Sequence, residues 1–455
     1  MFTRCVRNIL SRSAFTVTLK RHSWRRCSTS QTETVDQVTT LLQLCVDRFF
    51  VSPGHANVEL FQRGLCCSYG PLGMELRRNL LDQWWHSVTR SGAQVFGINT
   101  LSSSSSSSRE APTGGQGQLR IVECEQLKQR LGQKQLSKGR LAEEVHMLLQ
   151  RSPSMRTNLL QGALEQFVPS LELVNRKLPF GLAETGLCFQ PAEGSGCSAE
   201  VTQTSLVWFC SPRTSSQWLD HWTRQRLKWW RKFALSPSDF SSNEVQQEEL
   251  EQAASRGVRI IYNFPWGQEV LETLWSRGDA ELLHIHKGDR SKLQHQDGRR
   301  SIPHVVSVTA NMDRGAMAFL SNSLQQLKRE ESKKKLHQRK VLKLHPVLVP
   351  IKVALNIGRG ATVELRQICE GLLQEFLEAK ISVWPGYLET LPTSMEQLNA
   401  KYDEMGVLFT IIIGENTLES GLLQVRSRDT TIKETMHISE IKNFLFRYIS
   451  AADNI

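Results

Sequence analysis

Apolar residues recur at helical spacing in two stretches near the amino end of the chain. The first covers residues 35–49, and the second follows the turn at residues 69–73 and runs to Trp84 and Trp85. Residues three and four apart lie on one face of a helix, so each stretch predicts an amphipathic helix. Further along, an apolar run over residues 201–209 predicts a strand, and residues 218–233 predict a helix with regularly spaced tryptophans.

A polar loop and a helical insertion are predicted between these elements. Residues 102–117 hold seven consecutive serines and a glycine-rich run, which cannot bury enough apolar surface to offset the entropy lost on ordering. We therefore expect a flexible loop there. Residues 119–175 carry leucines at helical spacing, and the break at Ser152 and Pro153 predicts two helices joined by a turn. This hairpin can pack within one subunit or against a second copy.

The carboxyl-terminal block, residues 344–455, alternates short apolar runs with amphipathic stretches. Strands are predicted at residues 347–355, 381–384, 407–413 and 422–428. Helices are predicted at residues 365–377, 394–404 and 439–451. This alternation indicates an α/β sheet with helices on its faces.

Length and composition are those of a globular protein. A chain of 455 residues indicates two or three domains, and 40% hydrophobic with 22% charged residues is ordinary for the class. No apolar run approaches the ~20 residues that span a bilayer, so we expect no membrane partner.

Much of the net charge of +11 lies at the amino end. Residues 1–30 contain seven of the 56 Lys and Arg residues and no Asp or Glu, which is typical of a mitochondrial transit peptide. A disordered basic arm is the alternative. Without this segment 49 basic (56 − 7) and 45 acidic residues remain, a net charge of only +4. A nucleic-acid partner must therefore be argued from local patches.

The ten cysteines do not form a metal-binding pattern. They are scattered, with no Cys-x-x-Cys pair and no histidine partner at zinc spacing. In a reducing compartment we expect free thiols, most of them packed as small apolar residues. The sequence indicates no disulfide, no zinc and no other cofactor.

Two basic patches are candidate DNA contacts. In the predicted helix at residues 218–233, Arg224, Arg226 and Lys228 alternate with tryptophans. The rings can stack on bases, but aromatic residues at helical spacing are more typical of a core, which makes the basic residues the better phosphate ligands. Residues 326–343 are predicted to be a basic linker, which is either a solvated connection or a phosphate-binding segment. Its candidate DNA contacts are Lys328, Arg329, Lys333, Lys334, Lys335, Arg339 and Lys340.

Three motifs resemble class II aminoacyl-tRNA synthetases of the glycyl type. They occupy residues 69–85, 180–190 and 303–314. The resemblance implies a mixed α/β fold with an antiparallel-sheet domain at residues 35–325 that carries the helical insertion. It also implies that residues 344–455 form an anticodon-binding-like α/β domain.

The nucleotide-binding positions of that family are altered in this chain. Gln190 and Ala192 stand where the family carries an arginine on the ATP α-phosphate and a nearby glutamate, and Ser307 and Asn311 replace a glutamate and a glycine beside the adenine. An amide cannot supply a cation to the α-phosphate, and Asn311 adds a side chain where adenine would lie. The resemblance therefore implies a fold without catalysis. Arg314 survives, and we expect it in a structural ion pair.

Four further segments are similar to accessory subunits of animal mitochondrial DNA polymerases, at residues 264–267, 272–275, 383–390 and 426–431. This resemblance implies a homodimeric, non-enzymatic processivity factor of the mitochondrial matrix nucleoid, with dimerisation through residues 119–175. It further implies binding to the catalytic polymerase subunit and to duplex or primer–template DNA without sequence specificity. The carboxyl-terminal sheet is the expected polymerase interface, with candidates Gly421, Leu422, Arg426 and Arg428.

Two alternatives share the synthetase frame. One is a mitochondrial glycyl-tRNA synthetase, and the other is a tRNA-binding pseudo-synthetase. The altered positions disfavour the first, and the polymerase-type segments disfavour both. A polymerase active site in this chain is also disfavoured, because no paired-carboxylate motif for two metal ions is evident.

Overall fold

The computed structural model describes residues 28–53, 58, 68–90, 94–104, 119–132, 137–191, 198–251, 253–295, 301–329, 337–358, 362–389 and 394–453. The predicted transit segment at residues 1–30 lies outside the described residues except for its last three positions, which begin a helix. The predicted loop at residues 102–117 lies outside them from residue 105 onward.

The first block contains helices from both predicted amphipathic stretches. Its helices are α1 (Ser28–Asp47), α2 (Pro71–Thr89), α3 (Cys124–Leu131), α4 (Lys138–Arg151), α5 (Leu160–Glu165), α6 (Phe167–Leu173), α7 (Ser215–Lys232), α8 (Ala280–Ile285), α9 (Arg290–Leu293) and α10 (Met312–Ser323). Its strands are β1 (Val95–Gly97), β2 (Ser103–Ser104), β3 (Ser154–Met155), β4 (Phe180–Pro191), β5 (Ser198–Cys210), β6 (Phe240–Glu244), β7 (Arg256–Phe264), β8 (Gly267–Gly278), β9 (His304–Asn311) and β10 (Leu324–Arg329).

Seven of these strands form one sheet in the order β1-β4-β5-β9-β8-β7-β6. Strand β1 runs parallel to β4, and all other neighbours in the sheet are antiparallel. The predicted strand at residues 201–209 lies within β5. This arrangement confirms the expected class II synthetase-like sheet domain.

Both faces of the sheet bury apolar side chains, because strand residues alternate between them. On the first face, α2, α7 and α10 pack against the strands around Trp208, Trp222 and Trp230. On the second face, Phe167 of α6 packs against Phe209 of β5, with ring centroids 4.6 Å apart. The α7 tryptophans therefore fill the core, as their helical spacing indicated.

Arg226 of α7 lies inside this core, so its prediction as a DNA contact is wrong. Its side chain is 2% exposed, and its Nε donates to Glu272 of β8 at 2.8 Å. The same carboxylate accepts a hydrogen bond from Trp230 Nε1 at 2.7 Å, and Arg226 Nη1 donates to Ser87 of α2 at 2.9 Å. Burial lowers the pKa of Arg226, and the charge of Glu272 opposes that shift.

The helical insertion is divided more finely than predicted. The break at Ser152 and Pro153 is present, but α3 and α4 precede it and α5 and α6 follow it. Helices α5 and α6 pack on the second face of the sheet. By contrast, none of the described side chains of α3 and α4 is buried. The two halves of the insertion therefore have different surroundings.

The carboxyl-terminal block forms a second, five-stranded sheet. Its elements are β11 (His337–Leu342), β12 (Val353–Ile357), α11 (Thr362–Glu378), β13 (Val383–Trp384), α12 (Met395–Met405), β14 (Phe409–Ile413), α13 (Glu415–Ser420), β15 (Leu422–Ser427), β16 (Lys433–His437) and α14 (Ile438–Asp453). The order is β13-β12-β14-β15-β16, with β12 parallel to both neighbours and the other pairs antiparallel. This confirms the predicted α/β domain, although β12 starts later than predicted, after a turn at residues 346–348.

The predicted linker at residues 326–343 is largely a β-hairpin. Strands β10 and β11 pair antiparallel from Leu324 opposite Leu342 to Arg329 opposite His337. Leu342 is buried, and Arg339 donates to Asp403 of α12 at 2.9 Å. The described residues at the two ends of this segment thus include anchored apolar and charged side chains, while residues 330–336 lie outside the described residues.

The two blocks share one continuous core and are tied together at residues 342–349. Asn79 of α2 donates to the carbonyl of Leu348 at 3.2 Å. Arg428, from the other side, donates to the carbonyls of Leu342 at 3.2 Å and Leu344 at 3.0 Å. The strap between the blocks is therefore hydrogen-bonded by both of them.

Replacing Glu272 with Ala should destabilise the fold strongly, because the Arg226 guanidinium would remain buried without its carboxylate. We expect a loss of about 3–5 kcal/mol in the free energy of unfolding, measured by denaturant titration. The control is Glu249→Ala, which removes a partner of Arg259 at the surface and should cost no more than about 1 kcal/mol. Equal effects of the two substitutions would contradict the buried-pair account.

Candidate functional site

The altered nucleotide positions lie along β4 and β9. The backbone of Gln190 is in β4, but its side chain and all of Ala192 lie outside the described residues. Ser307 of β9 is buried and accepts a hydrogen bond from Arg277 Nε at 2.8 Å. The residue at the position of the synthetase glutamate is thus a serine, and its hydroxyl already accepts a hydrogen bond from an arginine of the chain.

Asn311 is used as a helix cap. Its Oδ1 accepts a hydrogen bond from the backbone N–H of Arg314 at 2.9 Å at the start of α10, which satisfies one of the free amides of that helix end. Obstruction of an adenine site by the Asn311 side chain stays a prediction. Arg314 Nη1 lies 3.5 Å from Glu269 and donates to the carbonyl of Val270 at 2.9 Å, so its predicted role as a structural ion-pair residue is confirmed.

A second arginine fills the space above β4. Arg156 Nη1 donates to Glu184 at 3.0 Å and to the carbonyl of Thr100 at 2.9 Å, and its Nε donates to the carbonyl of Leu187 at 2.7 Å. Gly186 lies directly beneath, and a Cβ added there would overlap Arg156 Nη2. The guanidinium therefore occupies the space directly above Gly186 on this face of β4.

The cations of this region are already neutralised. Arg156 pairs with Glu184, Arg314 lies beside Glu269, and Arg277 pairs with Glu281 at 3.0 Å and with Glu251. Phosphoryl transfer needs positive charge directed at the developing charge of the phosphate. These arginines have their charges directed at carboxylates of the chain, so the arrangement is better suited to holding the fold than to binding ATP.

The solvent-facing side of α7 carries a row of basic residues. Arg224 and Lys228 are exposed, and Arg231 follows on the same face with its Nε bonded to the carbonyl of Phe240 at 3.0 Å. At a rise of about 1.5 Å per residue, Arg224 and Lys228 are separated by about 6 Å along the helix axis. Such a row can contact successive phosphates of one strand. The DNA contacts predicted from the sequence include Arg224, Lys228 and the buried Arg226, but not Arg231.

A cleft of about 300 Å³ lies beside Arg224, between α7 and the strands β6 and β7. Its two carboxylates, Asp220 and Glu244, both pair with Arg256. Arg256 therefore offsets one of the two negative charges beside Arg224.

The basic segment around the β10–β11 hairpin is only partly described. Lys333, Lys334 and Lys335 lie outside the described residues, as do the side chains of Lys328 and Arg329. Arg339 donates to Asp403 while its side chain stays 29% exposed, so its role as a DNA contact stays a prediction. Lys340 is half-buried beside it on β11 and stays a candidate.

Two of the four predicted polymerase contacts are buried. Arg426 donates to Asp403 with both Nη atoms, at 3.0 and 2.9 Å, and is 6% exposed. Arg428 is 3% exposed and donates to the carbonyls of Leu342, Leu344 and Gly406. Neither side chain can contact a partner directly, because each is consumed by the fold, so both predictions are wrong.

Gly421 and Leu422 do lie at the surface of the second sheet. Gly421 ends α13 with φ +70°, and a Cβ there would lie 2.5 Å from the His437 ring. Leu422 begins β15 and is 39% exposed. Phe446 of α14 and Ile432, at 62% and 57% exposure, add further apolar surface to this domain.

Helices α3 and α4 present apolar residues to solvent. Leu131 is 55% exposed, Met147 44% and Leu149 39%. An ion pair between Arg130 and Glu144, 2.5 Å apart, joins the two helices to each other. A helix pair with an apolar surface and no buried side chain among its described residues is typical of an association surface.

Metal and membrane sites find no support in the described part of the chain. No cluster of three or more His, Cys, Asp or Glu residues that could hold a metal ion occurs among the described residues. No helix in that part is long and apolar enough to cross a bilayer. Cys188, Cys210 and Cys369 are buried free thiols, and burial raises the pKa of each to about 12.

Sequence reasoning also missed two carboxylates that organise the structure. Asp313 accepts hydrogen bonds from Tyr69 at 2.8 Å and from the backbone N–H of Thr202 at 2.6 Å, and it pairs with Arg77 at 3.2 Å. Asp403 accepts from Arg339 and Arg426. Their partners are distant in the chain, and each acidic residue lies in a helical stretch whose sequence gives no sign of its burial.

Comparison with known proteins finds similarity both to tRNA synthetases and to a DNA polymerase subunit. The family model of the anticodon binding domain matches residues 347–447. Across most of its length the chain is 26% identical to a glycine–tRNA ligase of Streptomyces coelicolor, over 90% of this chain and 98% of that protein.

Similarity to a polymerase subunit is much higher. The chain is 49% identical over 425 residues to DNA polymerase subunit gamma-2 of Bos taurus, which covers 91% of this chain and 86% of the relative. It is 48% identical over 432 residues to the protein of Xenopus laevis named DNA polymerase subunit gamma-2, mitochondrial, covering 93% and 90%. On these identities, the chain belongs to the DNA polymerase subunit gamma-2 family.

Proposed function

We propose that this chain is a non-catalytic accessory subunit of the mitochondrial DNA polymerase. It binds the catalytic subunit and duplex or primer–template DNA, and it raises the length of DNA made in one binding event. The observation that carries this proposal is the 48–49% identity to polymerase subunits over nine tenths of the chain. A relative named as mitochondrial and the arginine-rich segment at residues 1–30 support action in the mitochondrial matrix, within the nucleoid.

The lack of an enzymatic role is supported by the geometry of the former nucleotide site. Arg156, Arg277 and Arg314 are paired with carboxylates, and Arg156 covers Gly186. A tRNA ligase would need these or other cations free for ATP. The kinship to glycine–tRNA ligases keeps that activity as the alternative, but the filled sheet surface opposes it.

DNA binding is assigned to the exposed row Arg224, Lys228 and Arg231 on α7, with Lys340 and the basic residues 328–335 as further candidates. None of these contacts needs a base edge, so the binding should be independent of sequence. Opposite charge and regular spacing suffice for phosphate contacts.

Homodimerisation is assigned to α3 and α4. Their exposed Leu131, Met147 and Leu149 would be buried against the same surface of a second copy, as in an isologous interface. The surface that binds the catalytic subunit is assigned to the carboxyl-terminal sheet near Leu422, an exposed apolar residue of that domain.

The test of the proposal is primer extension by the catalytic subunit on a long primed template, across a salt series. Added protein should lengthen the products. With it, long products should still form at salt concentrations at which the catalytic subunit alone makes only short ones. The Leu422→Glu variant should reduce the gain, because a charge would enter the assigned interface. We prefer it to Gly421→Glu, which would strain the α13–β15 junction. Products of unchanged length with the wild-type protein would contradict the proposal.

Substituting Arg224 or Lys228 with Gln should weaken DNA binding at all sequences. Each lost phosphate contact should lower the slope of log affinity against log salt by about one. Fluorescence anisotropy with duplexes of two unrelated sequences measures this slope. Lys292→Gln on α9, an exposed lysine paired with Asp289, is the control and should leave the slope unchanged. Unaltered slopes for Arg224→Gln and Lys228→Gln would remove α7 from the interface.

Substituting Leu149 with Asp should convert dimers into monomers, because a carboxylate would be buried in the assigned interface without a partner. Analytical ultracentrifugation over a concentration series measures the change. Val363→Asp, at a 68% exposed position on α11, is the matched control and should remain dimeric. A dimeric Leu149→Asp protein would show that residues 119–151 do not form the interface.

A further inference from the structure

The α3–α4 hairpin, which is the first part of the helical insertion, is joined to the sheet domain through paired backbone segments at residues 102–104, 119–120 and 154–156. We call these segments its base. Strands β2 and β3 pair with Ser103 opposite Met155, and the backbone N–H of Arg156 donates to the carbonyl of Ser102 at 3.0 Å. The N–H of Met155 donates to the carbonyl of Leu119 at 2.9 Å. Residues 102–104, 119–120 and 154–156 therefore meet side by side at the base of the α3–α4 hairpin, before α5 begins.

The side chain of Arg156 continues from this base onto β4, the strand that also carries Gln190. It joins Thr100, at the outgoing end of the base, to Glu184 of β4, whose side chain is 1% exposed. Glu184 in turn accepts hydrogen bonds from the backbone N–H of Thr100 at 2.8 Å and from its hydroxyl at 2.7 Å. One buried carboxylate thus contacts Thr100, which precedes the α3–α4 hairpin, and Arg156, which follows it.

The same base continues upward into α4. Arg120 forms a backbone bridge with Ser154, two residues before Arg156 in the chain. Its Nη1 donates to the carbonyls of Leu149 at 2.8 Å and Ser152 at 3.0 Å, at the end of α4. Side-chain hydrogen bonds and the short backbone segment 154–156 therefore connect Glu184, through Arg156 and Arg120, to the α3–α4 hairpin.

We propose that the remnant of the synthetase site now serves as the anchor that orients the α3–α4 hairpin for association with a second copy. Arg156 is the positioning residue, Glu184 is its receptor, and Gly186 supplies the space that the guanidinium occupies. This inference rests on the proposed dimerisation through α3 and α4. Because the described side chains of that hairpin are not buried in the subunit, its direction depends on its base.

Two substitutions in the full-length protein test the anchor. Arg156→Ala removes the guanidinium, and Gly186→Ala places a Cβ where the guanidinium lies. Loss of charge-assisted hydrogen bonds at the base should weaken the dimer roughly tenfold in each variant. Sedimentation measures the dimer dissociation constant, and spin labels on α4 report the distance between the hairpins of the two copies, which should broaden.

Chemical rescue separates anchoring from a general loss of structure. Guanidinium at low millimolar concentration should restore the dimer of Arg156→Ala, because it can occupy the vacated space beside Glu184. It should not restore Gly186→Ala, where a methyl group fills that space. Gly139→Ala on α4, where a Cβ meets no neighbour, is the matched glycine control and should dimerise normally.

The results for Arg156→Ala and Leu149→Asp together distinguish a failure of the anchor from a failure of dimerisation through the hairpin. A wild-type dissociation constant for Arg156→Ala, or a weakened one that guanidinium does not restore, overturns the anchor if Leu149→Asp still yields monomers. If Leu149→Asp remains dimeric, dimerisation through the hairpin itself has failed. Should Arg156→Ala not fold, the dissociation constant of Gly186→Ala decides, with an unchanged value overturning the anchor.

Discussion

The ion pair between Arg226 and Glu272 lies at the centre of the first block, and the elements around it depend on it. Both side chains are almost fully buried, and together they connect α7, β8 and α2. A buried charge is costly unless an opposite charge and further hydrogen bonds compensate it. Arg226 is compensated by Glu272 and by a hydrogen bond to Ser87. Glu272 is compensated by Arg226 and by a hydrogen bond from Trp230. These contacts fix the position of α7 on the sheet.

The same device recurs throughout the chain. Glu184 receives Arg156, Asp313 receives Arg77, and Asp403 receives Arg339 and Arg426. In each case a buried carboxylate joins segments that are far apart in sequence. In these pairs the arginine charge is directed at a carboxylate of the chain, which ties the joined segments together.

The elements of the fold could be predicted from the sequence more successfully than the roles of individual arginines. Apolar periodicity located α1, α2, α7 and β5, and the motif resemblance supplied the antiparallel sheet and the second domain. The charge pattern failed at Arg226, Arg426 and Arg428, because a sequence displays a charge but not its burial. It also suggested a linker where β10 and β11 pair, since a run of lysines hides the apolar residues that anchor such a hairpin. Arg156 and Glu184 could not be paired from sequence, because only the folded base of the insertion brings them together.

The central claim is that the synthetase frame has been retained as a scaffold, with its nucleotide site closed by the chain's own side chains. Glycine-dependent exchange of pyrophosphate into ATP measures adenylation directly. The account predicts no exchange above that of a protein-free control, at protein concentrations where a glycine–tRNA ligase gives a strong signal. Robust glycine-dependent exchange by the purified protein would contradict it.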